Sequence, residues 1–516
     1  MATVGKNILE NLTTGMYTDS KVCYREYIQN ACDQIDIAIK QGLLAKDEAL
    51  IDIWIDEENR SIVVEDNATG VSAASFVENL GDVANSDKIQ GENKGFRGIG
   101  RLIGLAYCKT LRFTTSYKGE DTASIMTCDA QKMRQMIGEK KRYTLDEVWD
   151  SIVSYGHTSA SIDDHFFKVE MIGINSENTE LLNVDSVCDY LSFVAPVPYK
   201  NTFIFRKKVY DYAREHHFII DEYNVSVNGE PIFKKYTTTL KEASGTSTKQ
   251  YDEIHDVQFE ILRNRNQEVI AWLWYGISRF TKVIPVCNKM RGIRLRCGNI
   301  QIGSNDTLNS LFKEQRGNSY FVGEVFAIDS GLIPNSQRDY FNENPARVEF
   351  EQQIRIFFRD TLHQMYHRAS DMNNAYKRQE EYVEKQNEFN EKVRNNGFID
   401  EEDKVRLQTE VTEAQKKAED AQKKIERLKE KDSDSPVTSV FKTIEKHYEK
   451  QKPTVKLEEP ASNDDGKDKG GFISSGLSKL SRKERKLVST IMSIISKHAP
   501  REVAEVIIQE IQKELK

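Results

Sequence analysis

Val63-Val64-Glu65-Asp66-Asn67-Ala68-Thr69-Gly70 begins as an apolar strand and ends in a turn, so it delivers the carboxylate of Asp66 at the strand's mouth. Behind such a strand Asp66 is expected to be partly buried, and a buried carboxylate needs a donor. The exocyclic amine of adenine is one, and Gly70 lets backbone approach a base closely. An ordinary Asx turn accounts for the same residues.

Working outward, Ile51–Ile55 and Ser61–Glu65 read as strands joined by the polar turn Asp56-Glu57-Glu58-Asn59. Upstream, Glu26, Asn30 and Asp33 fall at i, i+4 and i+7 of Arg25–Ile39, on one side of a helix flanked by Tyr27, Ile28, Ile35 and Ile39. An Asn carbonyl can ligate magnesium beside nucleotide phosphates, and a carboxylate one turn away can polarise a water for attack on phosphorus. A solvated helix face has the same pattern. Downstream, Gly95-Phe96-Arg97-Gly98-Ile99-Gly100-Arg101-Leu102-Ile103-Gly104 is a glycine-rich loop running into an apolar helix, whose free N–H groups can hold phosphate oxygens. It is not a dinucleotide-binding fingerprint, because the glycine order differs and no short strand feeds directly into it.

In this order, Glu26-x-x-x-Asn30-x-x-Asp33, Asp66-x-x-x-Gly70 and Gly95-x-x-Gly98-x-Gly100 closely resemble the GHKL ATPase superfamily of gyrase, ninety-kilodalton heat-shock chaperones, histidine kinases and MutL. The resemblance implies an N-terminal Bergerat α/β sandwich that binds ATP and magnesium. By it, Glu26 is the general base, Asn30 the metal ligand, Asp33 a water-mediated contact near adenine, and Asp66 with Gly70 the adenine reader. Gly95, Phe96, Arg97, Gly98, Ile99 and Gly100 form the phosphate loop with its lid, and Ser86 and Lys88 lie in the lid within reach of phosphate. Two departures stand out. Ala68 replaces the family's usual glycine, and His165-Phe166-Phe167-Lys168-Val169-Glu170 stands where a Gly-Thr strand completes the adenine pocket.

Further along, Gly323–Asp339 resembles the middle-domain switch loop of HtpG-like ninety-kilodalton chaperones, where an arginine reaches the γ-phosphate. Arg338 is the candidate, since a guanidinium matches phosphate oxygens and stabilises charge moving in transfer. A structural arginine is the alternative. The likeness covers roughly residues 1–345 and weakens along the way.

At 516 residues the chain has length for several domains, and 73 Lys+Arg against 81 Asp+Glu give a net charge of -8, which excludes a molecule-wide polybasic field. A local cluster, Lys282, Lys289, Arg291, Arg294 and Arg296, leaves a MORC-like nucleic-acid clamp as the alternative function; one charged sheet edge would read the same. Met1–Leu12 lacks the apolar stretch of a signal peptide and no run reaches the ~18 apolar residues of a membrane span, so an intracellular, cytoplasmic protein is expected. Seven scattered cysteines without a C-x-x-C pair predict packed thiols.

The expected class is α+β: an ATP-binding domain at 1–195, a middle domain at 196–345, a helical and coiled-coil segment at 346–431, a flexible linker region at 432–474, and a helical hairpin at 475–516 for docking or dimerisation. Leu407, Val411, Ala414, Ala418, Ala421, Ile425 and Leu428 repeat in steps of four and three, the seam of self-association or of an antiparallel hairpin. The family likeness predicts a magnesium-dependent ATPase acting as a conformational clamp on protein clients, closing its lid and forming a homodimer when ATP is bound. A histidine kinase is disfavoured because no phospho-acceptor helix pair precedes the ATP-binding part, and a topoisomerase because no strand-cleaving tyrosine domain is evident.

Overall fold

A computed structural model describes residues 4–13, 15, 19–81, 100–394, 397–398, 400–431, 436–451 and 480–515. The chain is α+β and forms two compact units, Met1–Ser278 with Lys282–His363, and Arg279–Thr281 with Gln364–Lys516. Among the described residues no helix is long and apolar enough to cross a membrane. All seven cysteines are free thiols, with Cys23, Cys32, Cys108 and Cys128 buried.

The second unit is helical. The helix His363–Arg394 runs into it, and Glu401–Lys431 lies antiparallel to that helix, as the pairs Lys424–Asp371 (2.7 Å), Gln379–Gln422 (2.7 Å) and Lys385–Glu410 (3.5 Å) show. The repeat residues Leu407, Ala414, Ala418, Ala421 and Ile425 are buried, so the seam is covered within the chain. Part of the stretch expected as a flexible linker, 432–474, is instead the helix Val437–Gln451. Its reason is an apolar stripe at helical spacing, Val437, Val440, Phe441, Ile444 and Tyr448, all buried, with Tyr448 stacked on Tyr376 at 4.7 Å. Residues 432–435 and 452–474 lie outside the described residues.

In the first unit an eight-stranded sheet has the spatial order Val153–Ser159, Thr122–Asp129, Cys108–Ser116, Phe166–Ile174, Ser61–Asp66, Leu50–Asp56, Asn224–Val227, Glu230–Pro231. Leu50–Asp56 and Asn224–Val227 are parallel, whereas the other neighbours are antiparallel. The strand at 224–227, read from sequence as part of the second domain, therefore extends the first sheet. Alternation sets the faces: Ile51, Ile53, Ile55, Ile62 and Val64 turn inward to a core shared with Cys23, Tyr27, Ile28, Ala31 and Ile35 of the helix Val22–Lys40. That helix ends in a Schellman motif, with Gly42 at φ +69° and Leu43 N–H bonded to Ala38 O at 2.9 Å.

A five-stranded sheet follows, ordered Asp256–Arg263, Val269–Ile277, Val322–Ala327, Gly292–Cys297, Ile300–Ile302. At its centre the fully buried Glu324 accepts from Tyr199, from Arg296, from Lys234 at 3.0 Å and from Tyr236 at 3.0 Å. Burial opposes the Glu324 charge, but Arg296, Lys234 and the Tyr199 hydroxyl outweigh it and hold the carboxyl down at about 2. Two cations share one anion, so burial and the neighbouring Arg296 bring the Lys234 ammonium down to about 7 despite Glu324. Lys234 thus binds its proton less tightly folded than unfolded. The stability it contributes is fully present above the unfolded value of ~10.4 and is lost as pH falls through about 7. In urea unfolding, the stability of the wild type relative to Lys234→Met is expected to rise between about pH 7 and about pH 10 and to level off below that window. A difference that stays constant across it would contradict this account.

Candidate active site

Glu26 is buried near the start of the helix Val22–Lys40, and two separate pieces of chain and one side chain of its own helix converge on it. The first is Gly100, which opens the short helical turn Gly100–Ala106. Tyr27 seats this turn, its hydroxyl accepting from Gly104 N–H at 3.0 Å and lying 3.3 Å from Arg101 O. A Cβ on Gly104 would stand 2.5 Å from that hydroxyl, and one on Gly100 would stand 2.7 Å from Glu26 Oε2. Glycine at both positions is what allows the turn to reach the carboxylate.

The second piece is the loop carrying Arg338, whose Nε lies 3.4 Å from Glu26 Oε1. Arg338 is buried, with φ +55°. Its N–H bonds Asn335 O at 3.2 Å and its carbonyl accepts from Gly303 N–H at 2.8 Å, so the left-handed residue is fixed from both sides. The third is Arg25, the neighbour of Glu26 in sequence. Its guanidinium lies 3.2 Å from the same carboxylate oxygen and donates to Gln337 O, also at 3.2 Å. Sequence reasoning did not single out Arg25, because adjacent helical residues point about 100° apart and nothing local predicts that the side chain folds back. Arg25, Gln337 and Arg338 also border a cavity of about 990 Å³.

At the far end of the same helix, Gln34 accepts from Thr69 Oγ1 at 2.9 Å, which brings the turn after Asp66 onto the helix. Eight residues separate Glu26 from Gln34, about 12 Å along the axis at 1.5 Å per residue. Asn30 and Asp33 lie between, Asp33 buried and Asn30 half-buried. The Asn30 carboxamide has no hydrogen-bond partner among the described residues, and it sits one turn from Glu26. An oxygen donor so placed suits a hard divalent cation.

Asp66 is buried and accepts from Ala68 N–H at 3.1 Å, so the turn is an Asx turn as well as a carboxylate presented at a strand end. Ala68 keeps an ordinary negative φ; the left-handed residue is Gly70, at φ +65°. This resolves the departure at Ala68, since no glycine is required there. A Cβ on Gly70 would come 1.8 Å from Ser116 O, so the turn is pressed against the end of the strand Cys108–Ser116. There Thr115 Oγ1 accepts from Val71 N–H at 2.9 Å and donates to Phe166 O at 2.7 Å. The His165 ring nitrogen Nδ1 lies 3.0 Å from Asn67 O and 2.8 Å from Ala68 O. Two carbonyls can only accept, so Nδ1 carries the proton. In register, Asp66 stands opposite Phe167 and Phe167 opposite Thr115, which puts a phenyl ring beside the aspartate. The run Thr114-Thr115-Ser116 was the available sequence signal for this missed contact.

Ser86, Lys88, Gly95, Phe96, Arg97, Gly98 and Ile99 lie outside the described residues. The basic cluster is only partly exposed, and Lys289, Arg291 and Arg294 border the same cavity as Arg25 and Arg338. Arg296 is buried on Glu324, and Arg294 is buried against the Phe193 ring and Gln301. Lys289 pairs with Asp189, and Lys282 with Glu242.

Residues 20–157 match the family described as Histidine kinase-, DNA gyrase B-, and HSP90-like ATPase, so this part of the chain is a GHKL ATPase domain. Chaperone protein HtpG of Coxiella burnetii is 33% identical over 87 residues, covering 16% of this chain and 14% of that protein. HtpG of Halalkalibacterium halodurans is 23% identical over 261 residues, 47% of this chain and 39% of its own length. HtpG of Fusobacterium nucleatum is 24% identical over 319 residues, 58% of this chain and 46% of its own length. The matched segments thus span less than half the length of these relatives.

Gly100→Ala is expected to displace the Glu26 carboxylate and slow ATP turnover by roughly tenfold or more, because small misplacements of a reacting group are costly. Gly138→Ala, where a Cβ meets nothing within 4 Å, serves as the control and should leave turnover unchanged. Phosphate-release assays on the two variants check this.

Proposed function

We propose that the chain is a magnesium-dependent ATPase that works as a chaperone-like conformational clamp on protein clients. The observation that carries this reading is the contact of Glu26 with Arg338, a base and a cation supplied by sequence positions more than three hundred residues apart. Such a pair makes turnover depend on where the loop carrying Arg338 sits, which is what a nucleotide-driven conformational cycle requires.

In the proposed mechanism Asp66 accepts from the exocyclic amine of adenine, with Gly70 leaving room for the ring. Asn30 would hold magnesium through its carboxamide oxygen, and the ion would neutralise charge on the phosphates. Glu26 takes a proton from the attacking water. In the arrangement described, one Glu26 oxygen is engaged by both Arg25 and Arg338. A γ-phosphate competes for Arg338, and release of that guanidinium frees the carboxylate to orient water while the arginine stabilises charge on the transferring group. Ser86, Lys88 and the Gly95–Gly100 loop would close over the phosphates, and two ATP-bound copies would meet through these domains. That the relatives are named chaperone proteins supports protein clients.

Glu26→Ala is expected to bind a non-hydrolysable ATP analogue normally while turning ATP over at least about 100-fold more slowly. Asp66→Asn should instead lose binding, read by calorimetry. Undiminished turnover in Glu26→Ala would remove the proposed base.

The alternative MORC-like nucleic-acid clamp predicts a phosphate-binding groove, whose affinity must fall steeply as salt rises. With Arg294 and Arg296 buried, the protein reading is favoured. An electrophoretic shift of duplex DNA at two salt concentrations is expected to show no ATP-dependent, salt-sensitive complex; such a complex would reverse the preference.

A further inference from the structure

One peptide unit connects the carboxylate of Asp66 with the ring of His165. Asp66 Oδ1 accepts from Ala68 N–H at 3.1 Å, and the other end of that unit, Asn67 O, lies 3.0 Å from His165 Nδ1. The Asn67–Ala68 peptide is trans, and in a planar trans unit the carbonyl and the N–H point in opposite directions. Holding Asn67 O therefore also restricts the N–H from which Asp66 accepts. The same ring nitrogen lies 2.8 Å from Ala68 O, so His165 shares one proton between two successive carbonyls. Among the described residues neither carbonyl has another partner.

The other ties on this turn act elsewhere. The Asn67 side chain accepts from Leu50 N–H at 2.9 Å and donates to Glu48 O at 2.8 Å. Thr69 donates to Gln34, and Thr115 joins Val71 N–H to Phe166 O. None of these bonds engages the peptide unit between Asp66 and His165. The half-buried His165 is itself firmly mounted. It follows the tight turn Ser161–Asp164, in which Asp164 N–H bonds Ser161 O and Ser161 N–H bonds Asp164 Oδ2, both at 2.9 Å. It precedes the strand Phe166–Ile174, whose pairing with Ser61–Asp66 sets Phe167 opposite Asp66.

We propose that His165 is a positioning residue for base recognition: by fixing the Asn67–Ala68 peptide it aims Asp66 at an exocyclic amine, and so sets the preference for adenine over a purine with an oxo group at that position. The proposal deepens the function proposed above and rests on Asp66 as the adenine reader. An amine donates to the carboxylate, whereas an oxo group can only accept and meets it as one acceptor against another. Discrimination of this kind depends on a buried polar group held in place, since the wrong base leaves that group unpaired. A histidine that only braced the loop would leave the choice between purines untouched, so selectivity separates the two roles.

The test compares ATP with inosine triphosphate, which carries the oxo group, through kcat and KM of phosphate release by the full-length chain. The wild type is expected to favour ATP by about tenfold or more in kcat/KM. His165→Phe keeps a ring of similar size without a donor, and His165→Ala adds no bulk. Each should lose most of the preference, with KM for ATP raised roughly tenfold and the loss falling on KM rather than on kcat. His165→Asn, whose amide can donate from close to the Nδ1 position, should restore the preference. Unchanged far-UV circular dichroism is expected in all three variants. A wild type that turns both nucleotides over alike would remove Asp66 as the adenine reader and the proposal with it. A wild type that favours ATP while His165→Phe and His165→Ala favour it equally would overturn the role of His165 alone, as would a His165→Asn variant no more selective than the other two.

Discussion

The carboxylate of Glu26 is the point on which the first unit turns. It is buried, and a buried charge persists only where other groups compensate it. Compensation comes from Arg25 on its own helix and from Arg338 on a loop that reaches it from the second sheet. The turn at Gly100 serves to keep that group in place and approachable. Tyr27 fastens the turn that brings Gly100 alongside, and the two glycines of that turn are small enough to fit.

A reaching loop is useful only if its base is firm. The loop carrying Arg338 leaves the strand Val322–Ala327, which Glu324 anchors through Arg296, Lys234, Tyr199 and Tyr236. It re-enters at the helix Pro345–Phe357, where Asn344 caps the helix by accepting from Arg347 N–H and donates to Gly331 O at 2.7 Å. Between these anchors, Pro334 bridges to Phe341 and Gly303 holds the Arg338 carbonyl. A loop held this way is fixed at both ends, which would suit the proposed exchange of Arg338 between Glu26 and a phosphate. The buried network is thereby also explained: a cluster costly to desolvate is retained where its geometry positions something.

Some of these relationships were written locally. Three polar residues at i, i+4 and i+7 mark a helix face, and an apolar strand ending in Asp66 marks a turn, because helix and strand periodicity are properties of neighbouring residues. The α+β class and the strand pairing through residues 56–59 follow from the same periodicity. Motif spacing was enough to point to the ATPase likeness. Composition was less reliable, since the polar residues on either side of 437–451 led to the whole of 432–474 being read as a linker, although an apolar stripe makes 437–451 a helix. A count of cations between 282 and 296 likewise did not tell that the fold buries two arginines, pairs two lysines and leaves Arg291 half-buried at the cavity.

The amino-acid sequence alone nominated the candidates for chemistry: Glu26, Asn30 and Asp66 by type and spacing, and Arg338 by family resemblance. Only the tertiary structure decided which of them meet. Arg338 reaches Glu26, Arg25 bends onto the same carboxylate, Gly70 rather than residue 68 takes the left-handed turn, and Phe167 lines up beside Asp66. Each depends on strand order or on a contact between distant segments. The physical reason is that backbone propensity acts over a few residues, whereas burial and ion pairing are settled between chain segments that only the complete fold brings together.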